Sequence, residues 1–392
     1  MIKNLLRALI NIILGFSLGV LVIEVTLYVN STLLFRGMNL PAPVDPPLSD
    51  WSYDVRYSDA DVFTWRPDLI RPVAPYEDRI ESHVDYSTDE FGFRNQAPLP
   101  DQEDVVVLGR SISLGAHLLT PWPEMFAKKT GLRVLNLAEP GGDILTRIDY
   151  LQLYGLPRKP RWVILEVVPS IDIIQEKKAP ALLSERMLVP LIQGLWRQYI
   201  YDGYKSVLAG SEIYPLKVDL SGHSVSLTCC LHYMEFFTLD RSMIEESQDW
   251  TIYSRALLDL KTEVQSHSAC LALLIAPTKP DIYFPLASHL HQLDSTVKEV
   301  VPYKLNEDGT LKQDGRPPPV SLIQQNAFAG REVVTAFAKS NGLVLIDPTQ
   351  AMEEAVLQGN DPFMVYDSHW NSLGHELVAR ETAQILQNTP CP

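Results

Sequence analysis

The chain has 392 residues, of which 46% are hydrophobic and 21% charged, and its formal net charge is −15. This composition is that of an ordinary globular protein and excludes a wholly disordered chain. The acidic balance, with no cluster of Lys and Arg, argues against nucleic acid as a partner, because phosphate binding needs grouped basic residues. The length predicts one large domain with insertions, or two domains.

The N-terminal segment 1–30 predicts a membrane anchor. Lys3 and Arg7 precede an apolar stretch, and residues 8–29 are long enough to cross the hydrocarbon core of a bilayer. A cleaved signal peptide is the alternative, but no small-x-small cleavage site follows the apolar run. The basic flank predicts a single pass with a cytoplasmic N-terminus and an extracytoplasmic remainder, periplasmic or at the cell surface. Glu24 is expected near the membrane interface rather than at an intramembrane site.

Residues 31–100 are predicted to form a linker and an irregular lead-in. The stretch NLPAPVDPPLSD (39–50) is dense in proline, which is typical of an extended linker. Residues 51–100 mix aromatic and polar side chains with scattered prolines. The main domain is therefore placed at 101–392.

Five short, almost continuously apolar runs predict parallel strands that are buried on both faces. They are DVVVLG (104–109), LRVLNLA (132–138), WVILEVV (162–168), ACLALLIA (269–276) and LVLID (343–347). Helix-like segments separate them, and a last helix is predicted at 371–388. This alternation predicts an α/β fold with helices on both faces of a parallel sheet.

Two stretches interrupt the alternation. Residues 176–249 are predicted to be a lid-like insertion, with a helix-like apolar part at 187–210 and a hairpin or strand at 222–237. A second irregular stretch spans 283–319. Both follow the carboxyl ends of predicted strands, where lids and substrate-binding elements commonly lie.

Polar residues and glycines with catalytic potential follow several of the predicted strands. In an open α/β sheet these strand ends share one edge, so a hydroxyl, glycine amides, a carboxylate and an imidazole are expected there together. These are the parts of acyl transfer. Each part alone has a structural reading as a helix cap or turn residue. The residues are Ser111 after strand one, Gly141 and Gly142 after strand two, Ser170 and Asp172 after strand three, and Asp367 and His369 after strand five.

Six stretches resemble the SGNH (GDSL) hydrolase family, in particular its membrane-anchored, extracytoplasmic members and the related polysaccharide O-acetyltransferase-like proteins. The stretches are TDEFGFRN, VVVLGRSISLG, VLNLAEPGG, WVILEVVPSID, LLIAPTKPDIY and YDSHWNSLGHELVA, spread over 88–175 and 250–388. The resemblance implies a flavodoxin-like three-layer sandwich with strand order 2-1-3-4-5. It implies hydrolysis or transfer of an ester-linked acyl group, often acetyl on a glycan, without a cofactor.

The resemblance also implies the role of each site residue. Ser111 would be the nucleophile, His369 the base and Asp367 the residue that orients the imidazole. The amide of Ser111 and Gly141 would line the oxyanion hole.

Two positions depart from the family pattern. Arg110 stands where the family usually has Asp before its serine, and Ser170 stands where it usually has an oxyanion-donating Asn. Ser170 would donate through a shorter side chain. Arg110 is hypothesised to pair with Glu139 or Glu166, which end the neighbouring strands, since a buried unpaired guanidinium is costly. The alternative is that Arg110 faces solvent.

The remaining candidates carry weaker signals. Cys229, Cys230, Cys270 and Cys391 show no metal-binding spacing, so no metal is expected; a disulfide from Cys229 or Cys230 to Cys270 or Cys391 is one option in an oxidising compartment. Lys279 is either a substrate contact or a solvated loop lysine, and the solvated reading is favoured.

The leading hypothesis is a membrane-anchored SGNH-type serine esterase or O-acyltransferase. Its partners would be an ester or glycan substrate and the bilayer. The alternative is a catalytically weak or inactive SGNH-like domain that serves as a membrane-tethered binding or assembly subunit in a membrane protein complex.

Overall fold

Five strands form the central sheet of the computed structural model, which describes residues 51–58, 78–86, 88–89, 91–115, 118–139, 143–174, 217–220, 223–226, 231–287, 300–364 and 369–391. The predicted anchor at 8–29 and the predicted helix-like part at 187–210 lie outside these residues. Among the helices of the described ranges, none has the length and apolar character needed to cross a membrane.

The strands of the described chain are β1 Trp51–Ser58, β2 Asp78–Tyr86, β3 Val105–Leu108, β4 Val134–Asn136, β5 Trp162–Val167, β6 Lys217–Leu220, β7 His223–Ser226, β8 Cys270–Ile275, β9 Tyr303–Leu305, β10 Leu311–Gln313 and β11 Val344–Ile346. The central sheet has the order β11-β8-β5-β3-β4, and its pairs are parallel. Counting only these five strands, the order is 2-1-3-4-5. The predicted strands and their order are confirmed, with each strand slightly shorter than its apolar run.

The helices are α1 Ser111–Leu114, α2 Trp122–Thr130, α3 Ile144–Tyr150, α4 Pro169–Asp172, α5 Leu231–Phe236, α6 Arg241–Glu246, α7 Gln248–Ser266, α8 Lys279–Leu286, α9 Val320–Asn326, α10 Ala329–Ser340, α11 Thr349–Leu357 and α12 Ser372–Asn388. Helix α2 packs against α12, whereas α7 packs against α3 and α6. Right-handed crossovers in this strand order put α2 on one face of the sheet and α3, α7 and α10 on the other.

The sheet is aligned in register along its carboxyl edge. Leu108 of β3 lies opposite Leu165 of β5, which lies opposite Leu273 of β8. Strand β3 is completely buried from Val105 to Leu108, as expected of a central strand covered on both faces. The residues that follow β3, β5 and β8 therefore emerge at one common edge.

Outside the central sheet, the described residues form three antiparallel strand pairs. The pair β1 and β2 falls in the stretch predicted to be irregular, so that part of the prediction was wrong. The strand sequence WSYDVRYS alternates apolar and polar residues, a period of two that favours a strand. In the stretch 222–237, predicted to be a hairpin or strand, β7 is a strand, but its partner β6 precedes the stretch and α5 occupies its end, so that prediction was correct only for β7. The pair β9 and β10 is the third.

A disulfide joins Cys270, the first residue of β8, to Cys391 after α12. The predicted option of a bridge from Cys229 or Cys230 to one of these cysteines is therefore wrong. The reason is spatial: α12 brings the end of the chain back to the amino edge of the sheet, where β8 begins. Arg161, beside the start of β5, donates from Nη2 to the Cys391 carbonyl at 3.0 Å and fastens the same segment.

Candidate active site

Ser111 lies where the chain turns from β3 into α1. Arg110 is still extended, with φ −101° and ψ −161°, and Ser111 begins the helix. The Ser111 hydroxyl lies 2.7 Å from Nε2 of His369, which is within hydrogen-bonding distance. His369 is 8% exposed, so its imidazole is held at the sheet edge with little contact with water. The structure thus brings together the serine and histidine that the sequence singled out.

Hydrogen bonds of Ser113 fix the turn that carries Ser111. The backbone N–H of Ser113 donates to Oε2 of Glu166 at 2.9 Å, and the Ser113 hydroxyl donates to the same oxygen. Trp122 donates from Nε1 to the Ser113 hydroxyl at 3.0 Å, and Asn136 donates from Nδ2 to the Ser113 carbonyl at 2.9 Å. Four separate contacts therefore fix the residue two positions beyond Ser111.

Glu166 is a fully buried carboxyl in the middle of the sheet. Burial raises its pKa, and the nearby Arg147 guanidinium and the Ser113 hydroxyl offset only part of that rise. Gly109 is required beside it, because a Cβ at this position would lie 2.5 Å from Cβ of Ser113 and 2.8 Å from Oε2 of Glu166. The strand-to-helix turn is thus packed directly onto this carboxylate.

Arg110 pairs with Asp172, which corrects the predicted pairing with Glu139 or Glu166. Both Nε and Nη2 of Arg110 lie 2.8 Å from Oδ1 of Asp172. Glu166 is already bonded to Ser113. Glu139 accepts a hydrogen bond from the Tyr150 hydroxyl at 2.6 Å.

Asp172 is shared between two arginines. The fully buried Arg147 donates from Nη2 to Oδ1 of Asp172 at 2.9 Å and from Nη1 to the Glu166 carbonyl at 2.9 Å. Oδ2 of Asp172 accepts from the backbone N–H of Val168 at 2.8 Å. Burial alone would raise the Asp172 pKa, but the Arg147 and Arg110 guanidinium groups outweigh it and the pKa is lowered. Asp172 is therefore an ionised carboxylate that binds both arginines next to the candidate site.

Of the other residues predicted for the oxyanion hole and the triad, Ser170 falls within the described ranges. Ser170 lies in α4 directly after β5, is 7% exposed, and its hydroxyl has no hydrogen-bond partner in the described part of the chain. Gly141 and Asp367 lie outside the described residues. Glu139 is partly buried, and burial raises its pKa against the opposing effect of the Tyr150 hydrogen bond.

The segment that carries His369 folds back on itself. The backbone N–H of Met364 donates to the His369 carbonyl at 2.9 Å, and Phe363 and Trp370 form an antiparallel bridge. Asn371 caps α12 by accepting from the N–H groups of Leu373 and Gly374. These bonds place His369 immediately before a helix whose start is fixed.

The end of β8 supports the same segment. Trp370 donates from Nε1 to the Pro277 carbonyl at 2.9 Å, and Lys279 donates from Nζ to the Met364 carbonyl at 2.5 Å. Lys279 is fully buried, so the preferred prediction of a solvated loop lysine was wrong. The missed signal is Thr278-x-x-Asp281, a helix-start pattern that places Lys279 in the first turn of a packed helix.

Residues of the motif TDEFGFRN form hydrogen bonds with the chain segment that follows Ser111. Arg94 donates from Nη2 to the carbonyl of Leu118 at 2.5 Å, and from Nη1 to the carbonyl of Leu114, the last residue of α1, at 3.3 Å. Asn95 pairs with the edge strand β4, because its side chain accepts from the Asn136 N–H at 2.8 Å and donates to the Asn136 carbonyl at 3.0 Å. This motif supports the geometry of the site.

A resident metal has no evident ligands in the ranges that the structure describes. No group of three or more His, Cys, Asp or Glu side chains there is arranged to hold a metal ion. The described chemistry is that of a hydroxyl, an imidazole and the charged network beneath them.

Comparisons with known proteins find similarity among solved structures alone. No family model and no curated protein matches the chain. The similar structures include a protein described as lipolytic and of the G-D-S-L family from Desulfitobacterium hafniense DCB-2, at 12% identity over 72% of this chain and 98% of that chain, with a TM-score of 0.35.

Two further similar structures are TesA and a mutant of the acetylxylan esterase Axe2. Axe2, from Geobacillus stearothermophilus, is 14% identical over 74% of this chain and 97% of its own, with a TM-score of 0.35. TesA is 12% identical over 72% of this chain and 97% of its own, with a TM-score of 0.36. Similarity at this level does not assign the chain to a family.

Proposed function

We propose that the chain is an SGNH-type serine hydrolase that cleaves ester-linked acyl groups. The observation that carries the proposal is the 2.7 Å separation between the Ser111 hydroxyl and Nε2 of His369, at the carboxyl edge of the parallel sheet. A nucleophile and a base within hydrogen-bonding distance are the minimum for acyl transfer through serine. Ligands of open α/β sheets bind at this edge.

The chemical steps follow from the two side chains. As the Ser111 oxygen forms a bond to the ester carbonyl carbon, His369 takes the hydroxyl proton at Nε2. The bond from carbon to the alcohol oxygen then breaks, and His369 returns the proton to the departing alcohol. In the second half, His369 removes a proton from water as the water oxygen bonds to the acyl carbon. The bond from that carbon to the Ser111 oxygen then breaks, His369 returns the proton to Ser111, and the carboxylic acid is released.

Stabilisation of the oxyanion is assigned to three donors. These are the backbone N–H of Ser111, the Gly141 amide and the Ser170 hydroxyl. The buried Ser170 hydroxyl, which has no hydrogen-bond partner in the described residues, supports a donor that serves the substrate, because buried polar groups are otherwise almost always bonded. Asp367 is proposed to orient the His369 imidazole.

The test uses the full-length chain in detergent, a fluorophosphonate probe and an aryl acetate. We expect the wild type to label and to hydrolyse the ester. Ser111→Ala should not label, and both Ser111→Ala and His369→Ala should lose activity by at least about a thousandfold. Ser254→Ala, at a partly exposed serine on α7, is the matched control and should behave as wild type. Equal activity in the wild type and Ser111→Ala contradicts the proposal.

A binding or assembly subunit is the second candidate. It is favoured by Arg110, whose guanidinium is held by Asp172 beside Ser111 at a position where the resembled family has an acidic residue. A wild type that neither labels nor hydrolyses, although it folds, would support this alternative.

Transfer to a glycan hydroxyl and location outside the cytoplasm extend the proposal. A transferase would use the same acyl-enzyme, with a sugar hydroxyl in place of water. The Cys270–Cys391 disulfide supports an oxidising compartment, and residues 8–29 would supply the anchor. Incubation with an acetylated oligosaccharide and an unacetylated acceptor tests transfer, since a transferase yields acetylated acceptor whereas a hydrolase yields acetate. Digestion of the domain by protease added to intact cells tests the location.

A further inference from the structure

The segment that carries His369 is fastened to the sheet by a buried ammonium. Lys279 begins α8, directly after the turn that follows β8, and none of its surface is exposed. Its Nζ lies 2.5 Å from the Met364 carbonyl and 5.9 Å from the centre of the Tyr283 ring. Burial of a charged amine is costly unless the amine is hydrogen-bonded. The bond to the Met364 carbonyl therefore offsets part of the cost of burying Lys279.

The acceptor of this bond is paired directly with His369. The N–H of Met364 donates to the His369 carbonyl at 2.9 Å, while its own carbonyl accepts from Lys279. The imidazole of His369 in turn lies 2.7 Å from the Ser111 hydroxyl. Three hydrogen bonds, joined by the covalent structure of Met364 and His369, therefore connect Lys279 to Ser111.

The turn before α8 is itself held by hydrogen bonds, so it can fix the position of the segment that carries His369. Asp281 accepts from both the N–H and the hydroxyl of Thr278 at 2.6 Å each. One residue earlier, the Pro277 carbonyl accepts from the Trp370 indole. The turn after β8 and the start of α8 thus bind both sides of the folded-back segment. Lys279 binds Met364 on one side, and Pro277 binds Trp370 on the other.

We propose that Lys279 is a positioning residue for His369, an inference that rests on the function proposed above. Its ammonium holds the Met364 carbonyl, this keeps Met364 paired with His369, and the pairing keeps Nε2 within reach of the Ser111 hydroxyl. Lys279 does not touch the reacting atoms. Its effect on catalysis therefore passes through His369.

The test compares Lys279→Met with Lys261→Met. Lys261 makes the same kind of bond, from Nζ to the Asn341 carbonyl at 2.6 Å, but at the opposite edge of the sheet. We expect Lys279→Met to lower kcat by about 10- to 100-fold at unchanged KM, since small displacements of a catalytic group have effects of this size. Lys261→Met should keep the wild-type kcat.

A double-mutant cycle with His369→Ala isolates the route. If Lys279 acts through His369, Lys279→Met should cause no further loss in the His369→Ala chain. An equal loss in both backgrounds, or a wild-type kcat in Lys279→Met, overturns the proposal. If Lys279→Met does not fold, Lys279→Gln is judged by the same criteria.

A crystal structure of the variant separates this proposal from the proposed function. We expect the distance from His369 Nε2 to the Ser111 hydroxyl to exceed hydrogen-bonding reach in Lys279→Met. An unchanged distance overturns the positioning role whether or not the chain hydrolyses esters. A wild type with no more activity than Ser111→Ala overturns the proposed function instead.

Discussion

Two guanidinium groups converge on one oxygen atom beneath the Ser111 turn. Arg110 approaches Oδ1 of Asp172 from the partly exposed side, and Arg147 approaches it from the core. The side chain of Arg110 is 17% exposed and that of Arg147 is 0% exposed. Loss of the carboxylate would remove the oxygen to which both guanidinium groups bond, so the network depends on Asp172 more than on either arginine.

Asp172→Asn should destabilise the fold in a manner that depends on pH. Removal of one partner of a buried ion pair costs about 3–5 kcal/mol. The folded-state pKa of Asp172 is lowered, so its stabilising effect is present above the unfolded-state pKa and is lost as the pH falls through the folded-state value. We therefore expect the difference in unfolding free energy to be full at pH 7 and to shrink in acid, as measured by urea titration.

Asp104→Asn is the matched control for this prediction. Asp104 also pairs with an arginine and has a lowered pKa, but its partner Arg133 is exposed. Solvent screening makes such pairs weak, so little change is expected at any pH. Equal effects of the two substitutions would contradict the view that burial gives Asp172 its importance.

The strands were predictable from sequence because burial on both faces leaves a continuous apolar run. WVILEVV predicted β5 together with its fully buried Glu166, and the order of the sheet followed from the resemblance. The turns were harder. The role of Ser113 depends on a carboxylate 53 residues away, and the bond from Lys279 to Met364 spans 85 residues. No local pattern encodes such partners, so the sequence singled out Ser111 and His369 but not the contacts of Ser113 and Lys279 that hold them.

Gly109→Ala should displace the turn between β3 and α1. The added methyl would lie 2.5 Å from Cβ of Ser113, so we expect overpacking to cost about 1–3 kcal/mol and fluorophosphonate labelling of Ser111 to fall sharply. Gly131→Ala is the control, because its Cβ would meet nothing within 4 Å and only its φ of 75° opposes the change. That variant should lose about 1–2 kcal/mol and label normally. Normal labelling of Gly109→Ala would show that the turn tolerates the shift.

The site exists only in the complete fold. Ser111 follows the first strand of the central sheet, and His369 follows the last, 258 residues later. The disulfide from Cys270 to Cys391 closes a loop of 121 residues that includes β8, β11 and α12. Closure of a loop this long stabilises the native state mainly by restricting the unfolded chain.

Cys270→Ser with Cys391→Ser should lower the free energy of unfolding by about 2–5 kcal/mol. Because the disulfide lies at the amino edge of the sheet, away from Ser111, we expect esterase activity at 25 °C to be kept. Thermal unfolding with and without dithiothreitol measures the effect. The reductant should shift the wild type and leave the double variant unchanged; a shift in the double variant would assign the effect to another group.

The same covalent link determines what a single backbone cut can do. A cut at any peptide bond between Cys270 and His369 puts Ser111 and His369 on different polypeptides, yet the sulfur bridge keeps the two pieces joined. On a non-reducing gel such a nicked protein runs as one band, and with thiol it runs as two. The fragment that carries His369 can then leave only after reduction, so the disulfide makes the pairing of Ser111 with His369 survive proteolysis.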